Sequence, residues 1–187
     1  MHAYRRFGAA LGFAALLLAL PANAEIQKIM NPCGHKLCGF FRASITLPTG
    51  WVEDEEATRY FNSQFLLPEG VDFDSAPAKI YVVVRYNRNK QPISNFIPDA
   101  IADWRSRAKD AKITRLDDLS RGDGKPAFER RQFEAKSLEE QGYELQSVTT
   151  DGDKDSNEFI VTITLTANSR QALEVAEPAY LAILRKY

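Results

Sequence analysis

The chain has 187 residues, with 24 basic against 25 acidic side chains and a formal net charge of −1. That balance lacks the basic excess of a nucleic-acid binder. The length suits one domain that can bury a core without metals or several disulfides.

Arg5 and Arg6 precede an unbroken apolar or small run from Gly8 to Leu20, and Pro21-Ala22-Asn23-Ala24 ends in an A-x-A cleavage signal before Glu25. This is the layout of a secretory signal peptide over residues 1–24. Its apolar core is shorter than the ~20 residues of a membrane span, which speaks against a retained anchor. Glu25, where a lipoprotein would carry cysteine, speaks against lipidation, and Arg5-Arg6-Phe7 is only a weak twin-arginine signal. The expectation is export to the periplasm or beyond, with no transmembrane span once the signal is cleaved.

Residues 25–42 read as an N-terminal arm broken by Pro32, Gly34 and Gly39. The arm holds both cysteines, Cys33 and Cys38. In an oxidising compartment they are expected to form a disulfide closing a small loop. The rival is a copper or zinc site on Cys33, His35 and Cys38, which offers three ligands and no fourth. The spacing is neither the C-x-x-C of redox catalysts nor the C-x-x-C-H of haem attachment.

Residues 43–187 read as a single α+β domain, an antiparallel sheet packed by helices. Ala43, Ile45 and Leu47 alternate as a strand before the turn Pro48-Thr49-Gly50 and Trp51. A second strand is expected from Thr58 to Leu67, stopped by Pro68-Glu69-Gly70. Ile80 to Val84 is apolar on both faces, as in a central strand. Arg85 to Gln91 is a polar loop. A helix starts near Pro98 and buries Ile97, Ile101, Trp104 and Ala108.

A weaker strand over Ile113–Leu119 leads to the turn Arg121-Gly122-Asp123-Gly124. In the strand from Ala127 to Lys136, Phe128 and Phe133 have opposite parity, which asks for a bulge or for cover on both faces. Tyr143–Thr150 and Phe159–Leu165 form a long hairpin, with Thr162, Thr164 and Thr166 on its second face. Asn168 or Ser169 caps a last helix with an apolar stripe of Leu173, Ala176, Tyr180 and Leu184. Pro178 predicts a kink or restart within it.

Three segments together resemble the PsbP/Mog-type fold superfamily. They are Ser44-Ile45-Thr46-Leu47-Pro48-Thr49-Gly50-Trp51, the meander led by Gly124-Lys125-Pro126-Ala127, and the ending Glu177-Pro178-Ala179-Tyr180-Leu181-Ala182-Ile183-Leu184. The resemblance covers Ala43 to Tyr187 and leaves Cys33 and Cys38 outside. It implies an αβα sandwich and a non-enzymatic protein that docks onto a larger assembly. It transfers no functional residue, because fold alone does not fix function.

Among motifs that carry chemistry, Asp151, Asp153, Asp155 and the Asn157 carbonyl are the candidate cation ligands, calcium being the ion that hard oxygens suit. The pattern is not an EF-hand, because Ser156 and Thr162 stand where glycine and glutamate are required. A solvated acidic turn is the competing reading. After signal loss His35 is the remaining histidine, and no G-x-S-x-G elbow is present, so a Ser-His-Asp hydrolase is not expected. Glu53 to Glu56, Asp117/Asp118 and Glu139/Glu140 read as solvated acids. Arg85, Tyr86, Arg88 and Lys90, with Arg105 and Arg107 on the middle helix, form a candidate basic binding face.

The expected function is an exported, non-enzymatic accessory or binding protein whose partner is another protein or envelope complex, with no cofactor required. The alternatives are a small exported carboxylate-dependent hydrolase, which needs a pocket with facing carboxylates, and a weak calcium- or metal-binding protein.

Overall fold

The computed structural model describes residues 26–33, 35–121, 124–153 and 155–187. The signal peptide read over 1–24 and the Gly122-Asp123 centre of one expected turn lie outside those residues. Among the described residues nine strands build one antiparallel sheet. They are β1 (Ile26–Cys33), β2 (Lys36–Ala43), β3 (Trp51–Glu53), β4 (Gln64–Pro68), β5 (Ala78–Tyr86), β6 (Lys112–Leu119), β7 (Phe128–Glu134), β8 (Tyr143–Gly152) and β9 (Glu158–Ala167). The order is β1-β2-β5-β9-β8-β7-β6, with β4 also on the β2 side of β5 and β3 paired to β4. Three helices complete the α+β fold: α1 (Glu55–Phe61), α2 (Ile97–Arg107) and α3 (Arg170–Lys186).

The β-branched pair β5 and β9 lies at the centre, in register from Ala78↔Ala167 to Tyr86↔Phe159. Alternation sends Ile80, Val82 and Val84 to one face, with Val161, Ile163 and Leu165 opposite them. Leu173, Ala176, Tyr180, Ile183 and Leu184 of α3 close this core. Ser169 caps α3 by accepting from the Ala172 N–H at 3.1 Å. The helix runs through Pro178 without the expected restart. The buried stripe lies on both sides of that proline, so packing keeps both halves helical despite the missing N–H.

The other face of β5 and β9 carries Tyr81, Val83, Thr162 and Thr164, and α2 lies against it. Trp104 of α2 stacks on Phe133 of β7 at 5.3 Å and 21°, while Phe128 joins the core beneath α3. Cover on both faces answers the Phe128/Phe133 parity: β7 pairs with β8 in unbroken register from Glu129 to Glu134, and the β6–β7 register shift puts its extra residue on β6, between Leu116 and Leu119.

Three expectations are corrected. The arm over 25–42 is a hairpin: β1 and β2 pair from Ile26↔Ala43 to Cys33↔Lys36, and Phe41 of β2 pairs with Val84. This hairpin therefore extends the sheet of the domain. The strand expected over Ala43–Leu47 ends at Ala43, where the Gln64 side chain accepts the Ala43 N–H at 3.1 Å and β4 takes over the edge of β5. The first half of the Thr58–Leu67 strand is helix α1, because Asp54 caps it through the Glu56 and Ala57 N–H groups and Asn62 ends it at φ 52°. The turn at Pro48-Thr49-Gly50 is present, with Gly50 at φ 77° and the Trp51 N–H donating to the Pro48 carbonyl.

Candidate functional site

Two concavities lie on the sheet face opposite α3. The first is a groove of about 540 Å³ beside α1, floored by Leu67 and Phe73 and flanked by Tyr60 and Phe61. Its rings are contiguous. Phe61 meets Tyr60 at 4.8 Å, Phe65 at 5.1 Å and Phe73 at 5.7 Å, and Phe65 stacks on Tyr81 at 5.5 Å. Tyr60 is 79% and Phe61 48% exposed. Carboxylates of Asp54, Glu56, Asp72 and Asp74 line the same groove, and no lysine or arginine does among the described residues. Lys79 caps the Phe73 ring at 4.3 Å.

The second is a cleft of about 310 Å³ between α2 and the sheet. β8 brings Glu144, Gln146 and Val148 into it, β9 brings Ile160, Thr162 and Thr164, and β5 brings Tyr81, Val83 and Arg85. Glu144 is only 6% exposed. Burial pushes its carboxyl up to about 7, opposed by the Arg107 charge and by hydrogen bonds from Trp104 and Tyr81. The Tyr81 hydroxyl lies 3.5 Å from Glu144 Oε2. Burial, and next the Glu144 charge, push this phenol well above its ordinary value. Arg107 lies 4.7 Å over the Trp104 ring and pairs with Asp103 at 2.9 Å. The Thr164 hydroxyl is buried without a hydrogen-bond partner, as is that of Thr166 beside it.

A carboxylate hydrolase needs facing carboxylates of different environments. The cleft lining includes Asp99, Asp103 and Glu144. Asp103 is engaged by Arg107, and Asp99 is exposed in the first turn of α2.

The candidate basic face does not assemble as one patch. Arg85 and Arg107 meet at the α2 cleft. Tyr86 turns toward Phe41 and Phe159, with its hydroxyl 3.3 Å from Asn157 Oδ1. Lys90 lines a hollow beside the β8–β9 loop. Arg88 and Arg105 are exposed.

The acidic loop does not present four free oxygens. Asp151 receives Arg121 at 2.7 Å and Lys125 at 3.7 Å. Asp153 accepts the Asn157 side-chain amide at 2.8 Å and the backbone N–H groups of Asp155 and Asn157. The Asn157 bond is the main cause that holds the Asp153 carboxyl below its ordinary value. Among the described residues no three metal-ligating side chains converge.

His35 is exposed. Cys33 stands opposite Lys36 and Cys38 opposite Asn31, so the cysteines occupy diagonal positions on one face of the hairpin. The side chain of Cys33 lies outside the described residues, and the Cys33–Cys38 disulfide is carried forward as a proposal.

Glu144 and Thr164 did not stand out in the sequence. In Tyr143-Glu144-Leu145-Gln146 the polar positions read as a solvent face. The usable signal was the apolar stripe of α2, which needs a sheet face to cover. No family model matches the chain, and no curated protein matches it. Among the described residues no helix is long and apolar enough to cross a membrane.

Proposed function

We propose that this chain is exported through its 1–24 signal to the periplasm or beyond. There it acts as a non-enzymatic accessory protein that docks onto another protein or an envelope complex. The groove beside α1 is the docking surface, and its occupant is a partner segment with an apolar anchor and lysine or arginine on its flanks. The observation that carries this reading is the exposed pair Tyr60 and Phe61, continued by the half-buried Phe73, within a rim of carboxylates. Exposed apolar surface with a polar rim is how binding sites differ from ordinary surface, and a single-sign rim selects the opposite charge. Helices on both faces of an antiparallel sheet support the αβα, PsbP/Mog-type reading of the fold. The Cys33–Cys38 disulfide suits the oxidising compartment.

The test is crosslinked affinity capture from envelope fractions with the native protein and a Tyr60→Ser/Phe61→Ser double variant of matched thermal stability. The expected result is one partner enriched by the native protein, lost with the double variant and weakened at high salt. Equal recovery by both, or bait alone, overturns the reading. A carboxylate hydrolase is the second reading, favoured by Asp99, Asp103 and Glu144 lining one cleft. Turnover of ester or glycoside substrates that Glu144→Gln abolishes would establish it.

A further inference from the structure

We infer that the α2 cleft is a second, separate binding site, for a small organic primary amine whose ammonium group sits against Glu144 and Thr164 while its apolar body lies along Val83, Val148 and Ile160.

The cleft leaves two of its polar groups poorly matched. Glu144 is taken out of water, yet the Arg107 guanidinium beside it is held by Asp103 at 2.9 Å and 3.0 Å. A buried carboxylate without a committed counter-ion is costly and favours its proton. The neighbouring Thr164 hydroxyl lines the same cleft, is fully buried and, apart from the Tyr81 hydroxyl that it faces, has no polar partner. The floor thus offers a carboxyl whose hydrogen bonds come from the neutral Trp104 and Tyr81 side chains and whose nearest cation is committed elsewhere, beside a buried hydroxyl oxygen. An ammonium carries three donors and no acceptor, and brings the missing positive charge.

The walls select the rest of the ligand. Val83, Val148, Ile160 and Ile97 line the cleft between its polar floor and its mouth. About 310 Å³ falls at the small end of ligand pockets. The Trp104 ring already stacks on Phe133 and lies under the Arg107 guanidinium.

The groups facing the Glu144 carboxyl are Tyr81 from β5 and Asp103, Trp104 and Arg107 from α2. At the register positions beside it, β9 contributes Thr166 and β7 contributes Phe133, neither of which titrates. Ammonium binding needs the ionised carboxyl, so the ligand must displace a proton wherever the empty cleft holds one. With the free carboxyl at about 7, affinity is about tenfold weaker at pH 6 than at pH 8.

The experiment is titration calorimetry of the purified protein with 2-phenylethylamine, and with the neutral isostere 2-phenylethanol, at about pH 6 and about pH 8 in buffers of differing ionisation enthalpy. The expected result is one amine per chain, the tenfold pH dependence, and release of nearly one proton at the lower pH. The alcohol binds at least tenfold more weakly at the higher pH. Glu144→Gln removes amine binding, and Thr164→Val weakens it. The Tyr60→Ser/Phe61→Ser variant binds amine as the native protein does, which separates this site from the docking groove. Amine and alcohol binding alike, amine binding without proton release, or no heat from the amine at millimolar concentration each overturns the inference. These three readouts use the native protein, so they stand even where a cleft variant fails to fold.

Discussion

Replacing Glu144 by glutamine keeps the shape of the side chain and an oxygen for Trp104 and Tyr81, and removes its titration. The folded carboxyl titrates at about 7 against an ordinary 4.5. Between those values the folded protein keeps a proton that the unfolded chain has released. The contribution of this carboxyl to stability is therefore fully present below about pH 4.5 and is lost as pH rises through about 7. At ~1.4 kcal/mol per pH unit the whole loss is about 3 kcal/mol. Other groups titrate equally in both proteins, so the difference between native and variant isolates this one. Urea unfolding, followed by tryptophan fluorescence from about pH 4.5 to 8, is the assay. The stability of the native protein relative to Glu144→Gln is expected to fall by about 3 kcal/mol across that range. The corresponding relative change in Tm is on the order of 6–12 °C for a domain of this size. Parallel pH curves for the two proteins would refute the claim that the carboxyl is desolvated.

Phe133→Ala empties a fully buried site against Trp104, and urea unfolding should show a loss of about 3–5 kcal/mol. Arg121→Ala removes the partner of the buried Asp151 carboxylate at 2.7 Å and leaves it Lys125 at 3.7 Å. Urea unfolding should show a loss of about 3 kcal/mol at neutral pH. Asp54→Ala removes the oxygen that accepts the Glu56 and Ala57 N–H groups. It should cost about 1 kcal/mol, with amide exchange accelerated in α1 and unchanged in α3. Tyr180→Phe deletes the hydroxyl shared between Ser147 and the Ile163 carbonyl, an expected loss of about 1–3 kcal/mol in thermal unfolding.

The parts of the fold that the sequence announced are those whose partners share their own pattern. Ile80 to Val84 reads as buried on both sides because every position is apolar. The stripe Ile97, Ile101, Trp104 and Ala108 has a single way to bury itself. The parts it concealed depend on distant neighbours. Pro32 and the glycines around Cys33 looked like breakers, but β1 is an edge strand, where a missing N–H costs no ladder bond. Helix α1 is seven residues long, and its second half carries Thr58, Tyr60 and Phe61, which favour strands. Asp54 is its signal, and that aspartate was hidden in an acidic run. Glu144 shows why the site was missed. On its own strand it occupies a polar position, and only a helix placed some forty residues earlier in the chain converts that position into a buried one.

Tyr81 lines the α2 cleft and touches the aromatic cluster beside the other groove. Its ring stacks on Phe65, which packs on Phe61 and Phe73 of the proposed docking groove, while its hydroxyl reaches Glu144 in the cleft. Tyr81 thus gives the two sites one shared side chain. Whatever factor an amine in the cleft applies to partner affinity at the groove, the partner must apply to the amine, because linkage is reciprocal. Any coupling between the proposed groove and the α2 cleft thus has a physical route through Tyr81.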